Sequence, residues 1–373
     1  MILPGPVSSE IVVLGLPIRT RIAKAAGRAG FDRTLSLEEA QDIGSLPPGR
    51  VVLLPGSVIP RVPWLRSLRE MPLERERLHA DGECAALLET ADPASFLRDL
   101  GREDRLDRIL RSRAPVPLPE PSGEGSRFAV SSPADLPRAE TWLLATLVKP
   151  EDGFMARHVD RKISLAISRR LASTPITPND MTLASVALGL VGALLFLPAR
   201  PGLDLAGALL FVAHSIVDGC DGELARLKFQ ESRLGGVLDF WGDNVVHSAI
   251  FGAIAIGWSR VSDSAWPLVF GAGAILGTLA SAGFVYFQTM APGAPVKTKD
   301  GPLFTSVTRE PSRFSRVADA LARRDFIYLV VILAALGLVR WFLILAAVGA
   351  PLFFLSLLAM ARAERGSALR SPA

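Results

Sequence analysis

From residue 180 onward the chain alternates long apolar runs with short polar breaks. The runs cover 180–198, 203–222, 235–258, 265–290, 325–340 and 341–361, each long enough or nearly long enough to span a bilayer. The last two leave only Leu338, Val339, Arg340 and Trp341 for a turn. Six spans would put both ends of the chain on one side. Before residue 148 the pattern differs. Short apolar runs at 10–15, 50–55 and 82–90 alternate with helix-period stretches at 17–31, 64–71 and 94–101. That alternation predicts a soluble α/β domain with a three-layer sheet. A Pro- and Gly-rich stretch at 114–126 interrupts it before a last strand-like run, 127–130, and a helix-like one, 135–147.

A third pattern lies between these halves. After the polar boundary at 149–153, Met155, Val159, Ile163, Ile167 and Leu171 recur every fourth residue, with Arg157, Arg161, Lys162, Arg169 and Arg170 among them. This predicts a basic amphipathic helix in the membrane interface; a core helix of the soluble domain is the alternative. Thr177-Pro178-Asn179 then offers a helix start. The expected layout is a soluble domain at 1–147, an interfacial helix at 148–175, a six-span α-helical domain at 176–362 and a tail at 363–373.

Composition sharpens this picture. Hydrophobic residues make up 49% of the 373, and the net charge is +4. The basic residues flank apolar runs, which points to anionic lipid and topology control and away from nucleic acid. On the expected topology 18 of them fall on one face, against Arg200, Arg260 and Arg340 on the other. The positive-inside rule then puts both termini on the cytoplasmic side of a multi-pass inner membrane protein. The opening residues show no basic region with a long apolar core, so no cleavable signal is expected. Cys84 and Cys220 lie too far apart in sequence, and in segments too different, to suggest a disulfide.

Candidate chemistry concentrates between residues 218 and 243. Asp218 and Asp221 are three apart and Asp239 and Asp243 four apart, so on helices each pair shares a face. Apolar runs precede and follow them, and carboxylates at the ends of membrane helices are costly unless a cation neutralises them. An all-oxygen set suits Mg²⁺ or Mn²⁺, with room for two ions. Gly222, Ala225, Gly235 and Gly236 clear space for a ligand, and Arg226 offers a fork for phosphate oxygens. His214 and His247 flank the acids, but such a site does not require imidazole; packing or hydrogen bonding is expected of them. Glu223 is expected to face solvent or a basic neighbour.

Asp218-x-x-Asp221-Gly222-x-x-Ala225-Arg226, eight residues, then Gly235-x-x-x-Asp239-x-x-x-Asp243 resembles the signature of the CDP-alcohol phosphotransferase family at every position. Pro178, Asn179 and Thr182 match a stretch common at that family's first span. The resemblance implies metal held by the four aspartates, with Asp243 also as general base. It implies a CDP-alcohol donor bound near Gly222, Ala225, Arg226 and Gly235, an alcohol acceptor, CMP as product, and a homodimer. Arg323 and Arg324, in a basic stretch before the fifth run, would bind a phosphate on the acceptor or simply set topology. The first 147 residues resemble a sugar-nucleotidyltransferase domain, and the fused arrangement is similar to synthases of inositol-phosphate diesters. Such domains hold nucleotide with a Gly-rich loop after the first strand. Here Gly15-Leu16-Pro17-Ile18-Arg19 has one glycine, which implies a silent domain. CDP-diacylglycerol with a polar alcohol, or a soluble donor such as CDP-inositol with a polyol phosphate, are both open. A divalent-cation transporter and a pseudoenzyme scaffold are the readings from other classes.

Overall fold

The apolar run at 50–55 becomes the longest strand of the first half because both of its faces are covered. The computed structural model describes residues 1–5, 7–100, 105–118, 126–148, 153–291 and 326–368, with side chains up to residue 362 apart from that of Gln41. Two compact units make it up, Met1–Leu147 with Ala172–Thr174, and Val148–Leu171 with Pro175–Ala373.

In the first unit the strands are β1 (Ile2–Leu3), β2 (Val12–Val13), β3 (Leu16–Pro17), β4 (Gly49–Pro55), β5 (Val58–Pro60), β6 (His79–Asp81), β7 (Ala85–Thr90), β8 (Val116–Pro117) and β9 (Arg127–Ala129). Five of them form a mixed sheet in the order β1-β4-β7-β6-β8. β4 runs antiparallel to β7, with Val51 opposite Leu88 and Leu53 opposite Ala86; β1 joins β4 in parallel. Side chains alternate across a strand. Val51 and Leu53 therefore pack with Phe96, Leu97, Leu100 and Ile109, while Val52 and Leu54 are buried on the opposite face. The helices are α1 (Ile18–Ala29), α2 (Leu37–Gln41), α3 (Val62–Glu70), α4 (Pro93–Asp99), α5 (Leu106–Arg113) and α6 (Leu136–Ala145). α1 packs on α3, burying Ile18, Ile22 and Ala25 on one helix and Trp64, Leu65 and Leu68 on the other.

The expected strand at 10–15 is mostly turn. β2 and β3 pair as a hairpin around Leu14 and Gly15, both left-handed at φ 45 and φ 80, as a two-residue hairpin turn requires. The buried guanidinium of Arg21 fixes this turn. Its Nε donates to the Val13 carbonyl at 3.0 Å, and its Nη2 to the Val13 and Leu14 carbonyls at 2.6 and 2.9 Å. Burial pulls its pKa down to about 10. The first sheet strand is β1, so the loop after it is residues 4–10, not 15–19. That loop carries one glycine, Gly5, and no basic residue.

The second unit opens with a π-helical turn, Ala156–Asp160, and α7 (Arg161–Leu171), followed by α8 (Pro178–Leu195), α9 (Pro201–Lys228), α10 (Arg233–Ser262), α11 (Trp266–Thr289), α12 (Phe326–Ala335) and α13 (Val339–Ala368). α8 starts where the sequence signals it. Thr177 and Asp180 form a reciprocal capping box with Pro178 in the first turn. α8 packs on α9 and α10, α11 on α10 and α13, and α12 on α9. Phe196, Phe211, Ile250, Phe251, Val330, Phe342 and Leu343 form their shared core. Large apolar side chains such as Leu194, Leu209, Leu276, Phe287 and Leu352 point outward, as helices in lipid require.

Five described helices are long and apolar enough to cross a membrane: Pro178–Leu195, Pro201–Lys228, Arg233–Ser262, Trp266–Thr289 and Val339–Arg362. The expected fifth, 325–340, is described only over Phe326–Ala335, ten residues, so the count of six is not established. Its turn also comes earlier than 338–341. Gly337, left-handed at φ 70, ends α12, and α13 begins at Val339. Gly277 of α11 lets α13 approach closely within the chain. A Cβ there would stand 2.6 Å from the Pro351 nitrogen of α13.

α7 turns a stripe of small polar residues inward while its Lys162, Arg169 and Arg170 are exposed. Ser164 and Ser168 are buried while Val159 and Ile163 of the apolar line are exposed. It belongs to the second unit, which sets aside the core-helix alternative.

Candidate active site

The aspartates meet because only four residues, 229–232, join the end of α9 to the start of α10. Phe229 ends α9 in the left-handed conformation, and the Ser232 hydroxyl caps α10 by accepting the Gly235 N–H at 3.0 Å. One acid oxygen each from Asp218, Asp221 and Asp239 lie within 4.8 Å of one another. Asp218 and Asp221 are 2% and 8% exposed. Neighbouring groups hold them in place. The Thr182 hydroxyl of α8 donates to Asp221 Oδ2 at 2.5 Å, and the Gly222 N–H donates to Asp221 Oδ1.

Asp243 stands one turn beyond Asp239, outside that group of three. Its Oδ1 is 3.4 Å from His214 Nε2. His214 is buried, and its Nδ1 lies 2.8 Å from the Ser185 carbonyl. A ring nitrogen facing a carbonyl carries the proton, so Nδ1–H donates there and Nε2 faces Asp243. His247 Nδ1 likewise donates to the Asp243 backbone carbonyl at 2.7 Å, with its ring against Phe211 and Phe326. Neither histidine joins the acid group. Hydrogen bonding and packing account for both.

Among the small residues only Gly236 faces open space, with nothing within 4 Å of a Cβ built there. A Cβ on Gly235 would stand 3.0 Å from Ser232 Oγ and 3.1 Å from Asn179 Oδ1. On Gly222 it would stand 3.4 Å from an Arg226 guanidinium nitrogen, so Arg226 folds back over the turn that carries Asp221. Ala225 is buried on the same helix. Arg323 and Arg324 lie outside the described residues.

Oxygen ligands stand about 2.0–2.1 Å from Mg²⁺, so two on opposite sides of one ion are about 4.2 Å apart. Three carboxylate oxygens within 4.8 Å reach that geometry by side-chain adjustment alone. The donor set fits a hard divalent cation.

Of the two surroundings expected for Glu223, solvent or a basic neighbour, the structure shows the basic neighbour, Arg161, with the carboxylate fully buried. Its Oε1 accepts from Arg161 Nη1 at 2.8 Å and Ser164 Oγ at 2.7 Å, and its Oε2 from Ser168 Oγ at 2.7 Å. The signal was present in Arg161, Ser164 and Ser168, a polar stripe at helical spacing beside the apolar line.

Comparison with known proteins agrees with these residues. Residues 175–308 match the family model described as CDP-alcohol phosphatidyltransferase. The bifunctional IPC transferase and DIPP synthase of Thermococcus kodakarensis is 38% identical over 141 residues, 38% of this chain and 31% of that protein. Its namesake in Rubrobacter xylanophilus is 36% identical over 147 residues, 38% of this chain and 33% of that protein. The aligned stretch therefore spans about a third of the length of these curated relatives. The crystal structure of Mycobacterium tuberculosis phosphatidylinositol phosphate synthase with CDP-DAG bound aligns with 52% of this chain and 92% of its own at 21% identity. Its TM-score is 0.36. All four aspartates, Gly222, Ala225, Arg226 and Gly235 fall inside the matched segment, and residues 175–308 of this chain are a CDP-alcohol phosphatidyltransferase domain.

Proposed function

We propose that the protein transfers the phospho-alcohol group of a CDP-alcohol to an acceptor hydroxyl and releases CMP. The observation that carries this reading is the convergence of Asp218, Asp221 and Asp239 oxygens within 4.8 Å, with Arg226 folded over Gly222 beside them. Asp218, Asp221 and Asp239 would hold Mg²⁺ or Mn²⁺, one ion or two, with Asp243 at its edge. The metal supplies charge neutralisation for the pyrophosphate and for departing CMP.

The chain's own groups do the rest. Arg226 binds phosphate oxygens with a planar fork. Gly222, Ala225 and Gly235 let the donor approach the helix backbones. Asp243 takes the acceptor proton as the acceptor oxygen bonds to the phosphorus bearing the alcohol. The bond from that phosphorus to the CMP oxygen breaks, and CMP departs with the electron pair. His214, its Nδ1 held by the Ser185 carbonyl, keeps its Nε2 3.4 Å from Asp243 Oδ1.

Asp221 lies seven residues before the end of α9 and Asp239 six after the start of α10, about 9–11 Å along each axis. Acids near the helix ends favour a surface active site over a transport pathway, which would place them at mid-depth. The excess of basic residues on that side favours the cytoplasm. Lacking a Gly-rich loop after β1, the first unit serves as a silent docking or regulatory domain, and any soluble CDP-alcohol is made elsewhere. The names of the relatives keep both donors open, CDP-inositol and CDP-diacylglycerol.

The test is CMP release by the purified chain in detergent with Mg²⁺, using both donors and a small panel of alcohols and polyol phosphates. CMP forms with one donor, and Asp243→Asn lowers the rate by about 10²–10⁴-fold. No metal-dependent release from either donor refutes the reading.

A further inference from the structure

Glu223 lies two residues past Asp221 and one past Gly222, and its side chain is 0% exposed. Its carboxylate turns away from the three-aspartate group and takes all its described hydrogen bonds from Arg161, Ser164 and Ser168 of α7. These positions lie three and seven residues apart, one stripe of a helix. A second tie sits beside the first: Tyr328 of α12 donates to Asp160, the residue before α7. The interfacial helix is thus pinned by polar bonds to the helix that carries two metal-site acids and to α12. A helix resting in the interface through its apolar line needs neither. A buried carboxylate persists only when fully paired, so the pairing fixes α7 and α9 against each other.

We propose that Glu223 is a positioning residue of the metal site, holding through α7 the turn of α9 that presents Asp221. The inference rests on the metal-dependent reading above and adds the group that sets the site's geometry. Two residues along a helix turn about 200°, so Glu223 and Asp221 leave α9 on nearly opposite sides. Arg161, Ser164 and Ser168 grip one side of that turn while Thr182 grips Asp221 on the other. A carboxylate some 5–6 Å from the helix axis moves about 1 Å when the helix rotates by about 10°. That is beyond the roughly 0.5 Å a site tolerates. Residues that orient metal ligands from behind change metal affinity when altered, even though they never touch the ion.

The experiment uses the full chain and Mn²⁺ as probe, with free Mn²⁺ read by electron paramagnetic resonance and CMP release followed in parallel. Glu223→Gln keeps the shape but leaves the Arg161 charge without its counter-charge. It weakens Mn²⁺ binding about tenfold and raises the metal concentration for half-maximal CMP release in step. At saturating metal the KM for the donor stays within about twofold, because the fully buried Glu223 side chain is closed off from any ligand. Adding Arg161→Gln to Glu223→Gln restores a neutral pair and recovers most of the affinity.

Unchanged Mn²⁺ affinity in Glu223→Gln, with only a lower unfolding temperature, overturns the proposal and leaves the cluster a brace for the fold. Should that variant not fold, Ser164→Ala with Ser168→Ala keeps the ion pair and removes two of the three donors. It weakens Mn²⁺ binding about threefold, toward the lower end for such partners, and no change overturns the proposal. The two readings separate cleanly. Weaker Mn²⁺ binding in Glu223→Gln, with no CMP release by the wild type, keeps the positioning role and removes the phosphotransfer reading. CMP release with identical metal affinity in all variants does the reverse. A wild type that binds no Mn²⁺ removes both.

Discussion

α9 carries two kinds of buried acid within six residues. Asp218 and Asp221 turn toward a third carboxylate, Asp239 of α10, so that acid oxygens converge on acid oxygens. Glu223 turns the other way and meets a guanidinium and two hydroxyls. The second arrangement joins opposite charges; the first gathers like charges, which a divalent cation would neutralise. Burial and residue type do not separate the two. Where the oxygens point does, and that marks one group for chemistry and the other for holding the helix in register.

Variants can break this comparison from either side. The largest expected effect is on chemistry. Asp239→Asn should lower kcat/KM for CMP release by more than about 100-fold, beyond the range for residues behind the ligands. The same change removes a repulsion between like charges, so the metal-free protein should unfold at a higher temperature than the wild type. A lower one would mean that the acids are paired internally after all. Next comes Glu223→Ala, which removes the buried carboxylate that Arg161, Ser164 and Ser168 donate to. Such losses cost about 3–5 kcal/mol, measurable by unfolding in mixed detergent micelles. Opposite signs of stability change in these two variants are the sharpest signature of the contrast.

Smaller effects bound the contrast. Gly277→Ala pushes a methyl onto the Pro351 backbone, where a Cβ would sit at 2.6 Å. It should cost about 1–3 kcal/mol while leaving Mn²⁺ affinity unchanged. A weakened metal site would mean that α11 and α13 also set its geometry. Smallest on activity is Arg21→Met in the first unit. It removes charged hydrogen bonds to the Val13 and Leu14 carbonyls and should destabilise that unit by about 1.5–3 kcal/mol. CMP release should stay within about twofold if the domain is silent, and a larger loss would give the domain a part in turnover.

What could be read from the sequence follows from how local each feature is. The four aspartates were legible because their spacing of three and four fixes a shared face once helices are granted. The start of α8 was legible because Thr177, Pro178 and Asp180 act within one turn. Glu223 was not, because its partners lie about 60 residues earlier and make sense only when α7 lies against α9. β1 escaped notice since two residues show no period, and the apolar run at 10–15 was mistaken for the first sheet strand. A single glycine, Gly15, with Arg21 drawing in the carbonyls around it, made that run a hairpin instead. The turn before α13 was misplaced because Gly337 outweighs the polar Arg340 as a helix stop.

The central claim is that Asp218, Asp221 and Asp239 form an acid group completed by a divalent cation. Direct Mn²⁺ titration of the purified chain, wild type beside Asp239→Asn, tests it without reference to any substrate. Saturable binding of one or two ions by the wild type, lost or weakened at least about 100-fold in Asp239→Asn, is the predicted result. Equal binding by both proteins, or none by either, would contradict it.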